Sequence, residues 1–313
     1  MSDKVTTFTA IYHLKMITAM KITEGFMPFM GYQTYYRIAG ECSEGKKPLI
    51  LMHGGPGSTH NYFEVLDRVA EATGHALISY DQIGCGQSFV EGHPELFTLE
   101  TWTNELKALR EHLGLKECHI LGQSWGGMLA ISYLIDQKPE GIRSAILSST
   151  LPSNRLWASE QHRMISYMPK EEQEAIARAE ATGNFSDPDY LKANEHFMLL
   201  HCAGAVTEES PECLRRPKKA GAEAYLYGWG PNEYNPTGSL RGYEYIDRLG
   251  EIQVPCLVMS GTEDLCTPIV AKTMFDGIPH SKWELFAGCR HMPFVEDNEH
   301  YCRVLGEWLN AND

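Results

Sequence analysis

Gly122-Gln123-Ser124-Trp125-Gly126 sets a serine between two glycines, directly after the apolar run CHIL and before MLAISYLI. A serine hydroxyl is a weak nucleophile until a base takes its proton and a third group orients that base. A strand, a sharp turn and a helix in that order lift the hydroxyl clear of a sheet, and the flanking glycines permit the turn. The pentapeptide alone is a weak signal, because a phosphate-binding turn or a plain strand–helix loop reads the same way. Its weight depends on what the rest of the chain supplies.

Two later loops supply the partners. VPCLVMSGTEDLCTP delivers Asp264 just past one apolar run, and KWELFAGCRHMPF delivers His291 just past the next. Glu263 is the adjacent rival for the acid. Taken singly, Asp264 also reads as a turn or helix-cap residue before Pro268, and His291 as a surface-loop histidine. His53-Gly54-Gly55-Pro56-Gly57 follows PLILM. Glycines there let a backbone N–H approach a developing alkoxide, and Trp125, next after the serine, supplies a second donor. Serine, aspartate and histidine at 124, 264 and 291 follow the chain order of α/β-hydrolases.

These residues need a sheet whose strand ends converge. YQTYYRIAG, PLILMHGG, HALISYDQ, CHILGQS and RSAILSS read as strands, and the last four are short apolar runs suited to a buried parallel sheet. Between them, Leu99, Trp102, Leu106, Leu109 and Leu113 repeat at three and four residues, which makes one apolar helical face. WGGMLAISYLIDQKP reads as a helix buried against the sheet and ending before Pro139. Alternating strands and helices predict an α/β fold with a mainly parallel sheet and helices on both faces. The rhythm stops after Pro152, gives way to charged helical stretches and an aromatic Gly/Pro segment, and resumes with VPCLVMSG. The predicted organisation is therefore an amino-terminal extension at 1–22, a core at 23–151 and 250–313, and an inserted α-helical cap at 152–249.

The chain has 313 residues, with 27 Lys plus Arg against 41 Asp plus Glu and a formal net charge of −14. Such a surface repels phosphate backbones and anionic lipid, so neither nucleic acid nor a membrane is an expected partner. No run approaches the roughly 20 apolar residues that span a bilayer, and the first residues lack the pattern of a secretory signal. Nine cysteines without any C-x-x-C fit neither a zinc site nor a disulfide framework. Reduced thiols and a cytoplasmic location are expected. Histidines at 53, 60, 75 and 93 lack metal-ligand spacing, so no metal or organic cofactor is expected.

HGGPG, YDQIGCGQS at 80–88, GQSWGG, GPNEY at 230–234 and the Asp264 and His291 loops resemble the proline iminopeptidase family of serine peptidases. The resemblance runs from about Thr23 to the carboxyl terminus. It implies an α/β-hydrolase fold with a helical cap, a family that also includes amino-acid amide hydrolases. It implies a triad of Ser124, Asp264 and His291, with the N–H groups of Gly55 and Trp125 as the oxyanion hole. It further implies that Glu233 holds a substrate's free α-ammonium and that Tyr225 lines the same pocket. One position departs: some relatives carry a second glutamate immediately after the triad aspartate, where this chain has Leu265.

The reading that follows is a serine aminopeptidase. It releases an unblocked amino-terminal residue, proline or another small or apolar one, from short peptides or amino-acid amides. An esterase or acyl-amide hydrolase with the same triad is the alternative. A catalytically silent member used as a binding protein is disfavoured, since no triad element is missing. Cys85 and Cys289 are expected near the site as pocket thiols. Trp125, Trp229, Tyr225, Tyr227 and Phe294 are candidates for an aromatic pocket, and for Glu233 the plain alternative is a loop brace paired with Arg241 or Lys219.

Overall fold

The computed structural model describes residues 20–313. Eight strands form one sheet: β1 (Ile22–Phe29), β2 (Tyr32–Ala39), β3 (Leu49–Met52), β4 (Leu77–Tyr80), β5 (Cys118–Gln123), β6 (Ile142–Ser148), β7 (Cys256–Gly261) and β8 (Ser281–Phe286). Their spatial order is β1-β2-β4-β3-β5-β6-β7-β8. The pairs β1–β2 and β2–β4 are antiparallel, and every pair from β4 onward to β8 is parallel. All carboxyl ends of the parallel strands thus open on one edge, where ligand sites of α/β sheets lie.

The strand period sorts side chains to two cores. Ile50, Met52, Ile120 and Val258 face one side, while Leu49, Leu51, Leu121, Leu257 and Met259 face the other. Helix α1 (Asp67–Thr73) and the last helix of the chain cover the second face. Helices α2 (Leu99–His112) and α3 (Trp125–Ser132) cover the first. Each fully buried Leu, Ile or Phe contributes about 1.5–3 kcal/mol relative to exposure, which is why these apolar runs define the layers. The side chain of Thr98 caps α2 by accepting from Thr101 N–H.

Between β6 and β7 the described residues hold helices and no strand. They are α4 (Asn154–Ile165), α5 (Lys170–Thr182), α6 (Pro188–His201), the short α7 (Glu212–Arg215) and α8 (Ala222–Gly228). Trp157, Ile176, Phe197 and Trp229 join the first core, so this segment packs on the sheet layer rather than apart from it. Main-chain bonds also tie it down: Gly221 N–H donates to Gly57 O at 2.7 Å, and Gly86 N–H to Lys219 O at 2.7 Å. After β7 come α9 (Pro268–Gly277), the short α10 (Pro293–Glu296) and α11 (Asn298–Ala311).

Two local features differ from the expected pattern. Strand β1 was not legible: it is an edge strand with only Met27 and Phe29 buried, and Gly25 and Pro28 interrupt any apolar alternation. It begins at Ile22, so the sheet takes in the last residue of the predicted 1–22 extension, and residues 1–19 lie outside the described chain. The helix predicted from Trp125 to before Pro139 is α3 followed by a wider π-type turn over Tyr133–Gln137, ending with Lys138 at φ 45°. Among the described residues no helix is long and apolar enough to cross a membrane.

Candidate active site

Ser124 sits at the junction of β5 and α3 with φ 55° and ψ −124°, a conformation that L-residues rarely adopt. Holding one residue there costs about 1–3 kcal/mol and persists only where the surroundings enforce it. Here they do. A Cβ on Gly122 would lie 2.1 Å from Gly126 O, and one on Gly126 would lie 2.0 Å from Met52 O. Only glycines on both sides let the chain fold back this tightly. Ser124 N–H donates to Ser148 O at 3.0 Å, and the Thr150 hydroxyl donates to Ser124 O at 2.6 Å.

Asp264 and His291 meet across the loops that follow β7 and β8. His291 Nδ1 donates to Asp264 Oδ1 at 2.6 Å, which leaves Nε2 as the nitrogen able to take a proton. Asp264 is 1% exposed and receives three further donors: Ser149 Oγ at 2.6 Å, Gly261 N–H at 3.1 Å and Cys266 N–H at 2.8 Å. A buried carboxylate so supplied is fixed in both position and orientation. Glu263 points elsewhere; it is exposed, and its carbonyl accepts from His201 Nδ1. The backbone N–H of His291 is held by His201 O and Cys202 O at 3.2 and 3.1 Å.

Ser124 and His291 line one cavity of about 510 Å³, together with Gly55, Tyr62, Tyr225 and Glu233. Trp125 is the first residue of α3, so its N–H has no carbonyl one turn back to bond. Gly55 N–H lies in the loop after β3, against the same cavity. Tyr62 was not foreseen. Its hydroxyl accepts from Gly54 N–H at 2.6 Å and donates to Gln123 Oε1 at 2.8 Å, tying the glycine loop to the residue before the serine.

Glu233 enters the cavity from the segment after α8. Tyr225 donates its hydroxyl to Glu233 Oε1 at 2.7 Å, and Trp157 Nε1 donates to Glu233 O at 2.7 Å. Burial pushes the Glu233 carboxyl above the usual carboxylate range, and the nearby His291 and the Tyr225 hydrogen bond pull it partly back. Arg241 instead bonds Gly238 O, and the Lys219 ammonium lies 3.2 Å from the centroid of the Phe89 ring. Neither makes the brace expected as the plain alternative. Leu265 is fully buried in the first core and contributes no group to the cavity.

Two expectations are corrected. Cys85 is buried with its thiol on Gln82 O at 3.2 Å and near His53, and Cys289 is also buried; neither lines the cavity, whereas Cys202, which was not singled out, does. Among the proposed aromatics only Tyr225 lines it. Trp125 packs on Trp102 with its indole N–H on Gln82 Oε1, Trp229 and Phe294 are core residues, and Tyr227 is exposed. The segment YDQIGCGQS braces the loops beside the site: Asp81 accepts from His60 N–H and Gln87 N–H, and Gln82 donates to His53 through both its main-chain N–H and its side-chain amide.

A family model described as alpha/beta hydrolase fold matches residues 47–298. The chain is 66% identical over 294 residues to a proline iminopeptidase of Clostridioides difficile (strain 630), covering 94% of this chain and all of that protein. It is 62% identical over 295 residues to a proline iminopeptidase of Lactobacillus helveticus, again 94% of this chain and all of that one. A crystal structure of proline iminopeptidase from Mycobacterium smegmatis superposes with a TM-score of 0.81 at 30% identity, covering 93% of this chain and 98% of that one. With Ser124, His291 and Glu233 around one cavity, Asp264 bonded to His291 behind it, and relatives this similar end to end, the chain belongs to the α/β-hydrolase fold and, within it, to the proline iminopeptidase family.

Proposed function

We propose that this protein is a serine aminopeptidase that removes an unblocked amino-terminal residue, proline or another small or apolar one, from short peptides or amino-acid amides. The observation behind it is Glu233: a carboxylate in a cavity shared with Ser124 and His291, hydrogen-bonded by Tyr225 and facing no cationic side chain among the cavity residues other than Lys218. Burying a carboxylate is costly unless a cation meets it, and a substrate ammonium is such a cation. Anchoring the ammonium there places the first peptide bond, and no later one, over the serine.

In the proposed mechanism Ser124 Oγ attacks the carbonyl carbon while His291 Nε2 takes its proton. Asp264 holds the imidazole in the tautomer that makes this possible and stabilises the imidazolium. The N–H groups of Gly55 and Trp125 receive the developing oxyanion, a contribution of the order of 10²–10³ in kcat per donor. His291 then protonates the leaving amine, and water activated by the same imidazole releases the acyl group and restores Ser124. The helical segment between β6 and β7 closes the cavity as a cap and limits substrates to short chains. All nine cysteines are free thiols, which suits a cytoplasmic location.

A panel of Pro, Ala, Leu and Phe chromogenic amides, each free and N-acetylated, tests this reading. Free amides should be strongly preferred, and Ser124→Ala should lower turnover by at least about a thousandfold with the fold intact. Preference for acetylated amides or simple esters would assign the alternative, an esterase or acyl-amide hydrolase, for which the single carboxylate left by Leu265 is the supporting feature.

A further inference from the structure

The edge of the sheet opposite Ser124 gathers two buried histidines and a carboxylate from three separate parts of the chain. His75 lies between α1 and β4, His119 is the second residue of β5, and Asp313 follows α11. At about 3.3 Å per residue, His119 stands roughly 16 Å along β5 from the serine. Both histidine side chains are fully buried, while Asp313 is partly exposed.

The hydrogen bonds fix which ring nitrogens face inward. The Thr73 hydroxyl donates its proton to Val69 O at 2.7 Å, so the 2.9 Å contact to His75 Nδ1 must have the imidazole as donor. His75 Nε2 then carries a lone pair, yet lies 3.1 Å from Asp313 Oδ1. Two acceptors that close need a proton or a cation between them. His119 Nδ1 lies 2.8 Å from Ser144 Oγ, which also accepts the Trp308 indole N–H at 3.0 Å. His119 Nε2 has no hydrogen-bond partner among the described residues and stands 3.6 Å from the same Asp313 oxygen.

We propose that His75 Nε2, His119 Nε2 and Asp313 Oδ1 form a binding site for a divalent cation of the zinc class. One ligand atom from each of the three residues lies within 4.8 Å of the other two. Ligands at about 2.0–2.2 Å from a tetrahedral ion are separated by about 3.3–3.6 Å, close to the two distances to Asp313. Two imidazoles and one carboxylate suit zinc better than calcium or magnesium, and the exposed side of Asp313 leaves room for a water as fourth ligand. Lys46 Nζ holds Oδ2 at 2.9 Å and Lys47 N–H reaches Oδ1 at 3.2 Å; they orient the carboxylate, and the Lys46 charge tempers affinity. Such an ion would join the start of β4, the start of β5 and the end of α11, away from the chemistry.

The test uses the full chain, stripped with a chelator and dialysed against zinc chloride, with bound metal counted by elemental analysis and cobalt(II) chloride as a spectroscopic stand-in. About one ion per chain is expected, with a tetrahedral cobalt spectrum lacking thiolate charge transfer. Asp313→Asn, at a partly exposed position that should still fold, should weaken binding at least about tenfold, as should His119→Gln, whereas Ser124→Ala should not. No uptake by the wild type, uptake unchanged in Asp313→Asn, or a cobalt–thiolate spectrum would each overturn the assignment. In those cases an imidazolium of His75 paired with Asp313 accounts for the cluster.

Discussion

Ser149 donates its hydroxyl to Asp264 Oδ2 at 2.6 Å, on the oxygen opposite the one that receives His291 Nδ1. Ser149 is itself in the left-handed region, with φ 47°, just past β6, and its N–H is bonded to Met259 O at 2.7 Å. The Asp264 carboxylate is thus clamped between the ends of two neighbouring parallel strands. Asp264→Asn should therefore keep the geometry and lose the tautomer, lowering kcat by about 10⁴. Glu263→Gln, at an exposed side chain, should change kcat less than about twofold. Steady-state kinetics of the two variants side by side check this; a reversed order of severity would move the acid to Glu263.

Glu233→Gln should separate free from blocked substrates. Truncating one partner of a buried charged pair costs about 2–5 kcal/mol, which at about 1.4 kcal/mol per decade is roughly 30-fold to a few thousandfold in kcat/KM. That loss is expected on free-amine amides and largely absent on N-acetylated ones. Because burial raises the Glu233 carboxyl, the wild-type KM for free amides should climb as pH falls through a range above that of an ordinary carboxylate, and the variant should lack this limb. Equal loss on both substrate types would make Glu233 a brace.

How much of this was readable beforehand follows from where each signal resides. Ser124, Asp264 and His291 sit at strand ends, and apolar runs announce strand ends. Glu233 and Tyr225 came only from resemblance, because nothing in their spacing marks a cavity wall. Tyr62, Ser149, Trp157 and Cys202 gave no signal at all. Each acts through a contact between segments far apart in the chain, such as the 115 positions between Ser149 and Asp264, and only the assembled sheet brings such pairs together. The cluster of His75, His119 and Asp313 was invisible for the same reason, since linear ligand spacing cannot register groups that meet across β3 and the end of α11. The aromatic-pocket expectation failed because hydrophobicity alone does not tell a cavity wall from a core.

Gly126→Ala tests the turn that presents the serine. The added methyl would meet a backbone carbonyl, Met52 O, at 2.0 Å, which no side-chain rotation can relieve. Overpacking of this kind costs about 1–3 kcal/mol or more, so a lowered thermal midpoint together with loss of turnover is expected. Gly242→Ala, where nothing lies within 4 Å of the new carbon, should leave both unchanged.

Glu105 predicts a pH limit on stability. It is fully buried, accepting from the Thr34 hydroxyl at 2.6 Å and Ile83 N–H at 2.9 Å, and burial pushes its carboxyl up to about 8. The folded state therefore holds a proton that the unfolded chain releases near the ordinary carboxylate value. Its contribution is complete below that value and lost as pH rises through about 8. Denaturant unfolding should show wild-type stability declining from about pH 5 to pH 8, with a flatter profile in Glu105→Gln. Parallel profiles would mean that Glu105 stays ionised when folded.

The bonds from Gly221 to Gly57 and from Gly86 to Lys219 join the helical insertion to the sheet loops through main-chain atoms alone. Peptide groups make such bonds whatever side chains they bear, provided small residues keep the approach close; a Cβ on Gly57 would lie 2.3 Å from Gly221 O. Gly57 and Gly221, which line the cavity themselves, are held to glycine by this frame, while the larger lining side chains take no part in these two bonds. A lineage can exchange Tyr225, Met198 or Lys218 and acquire a taste for a different first residue while the aperture keeps its dimensions. Selection on diet acts here on side chains, and selection on architecture on the peptide groups of two glycines.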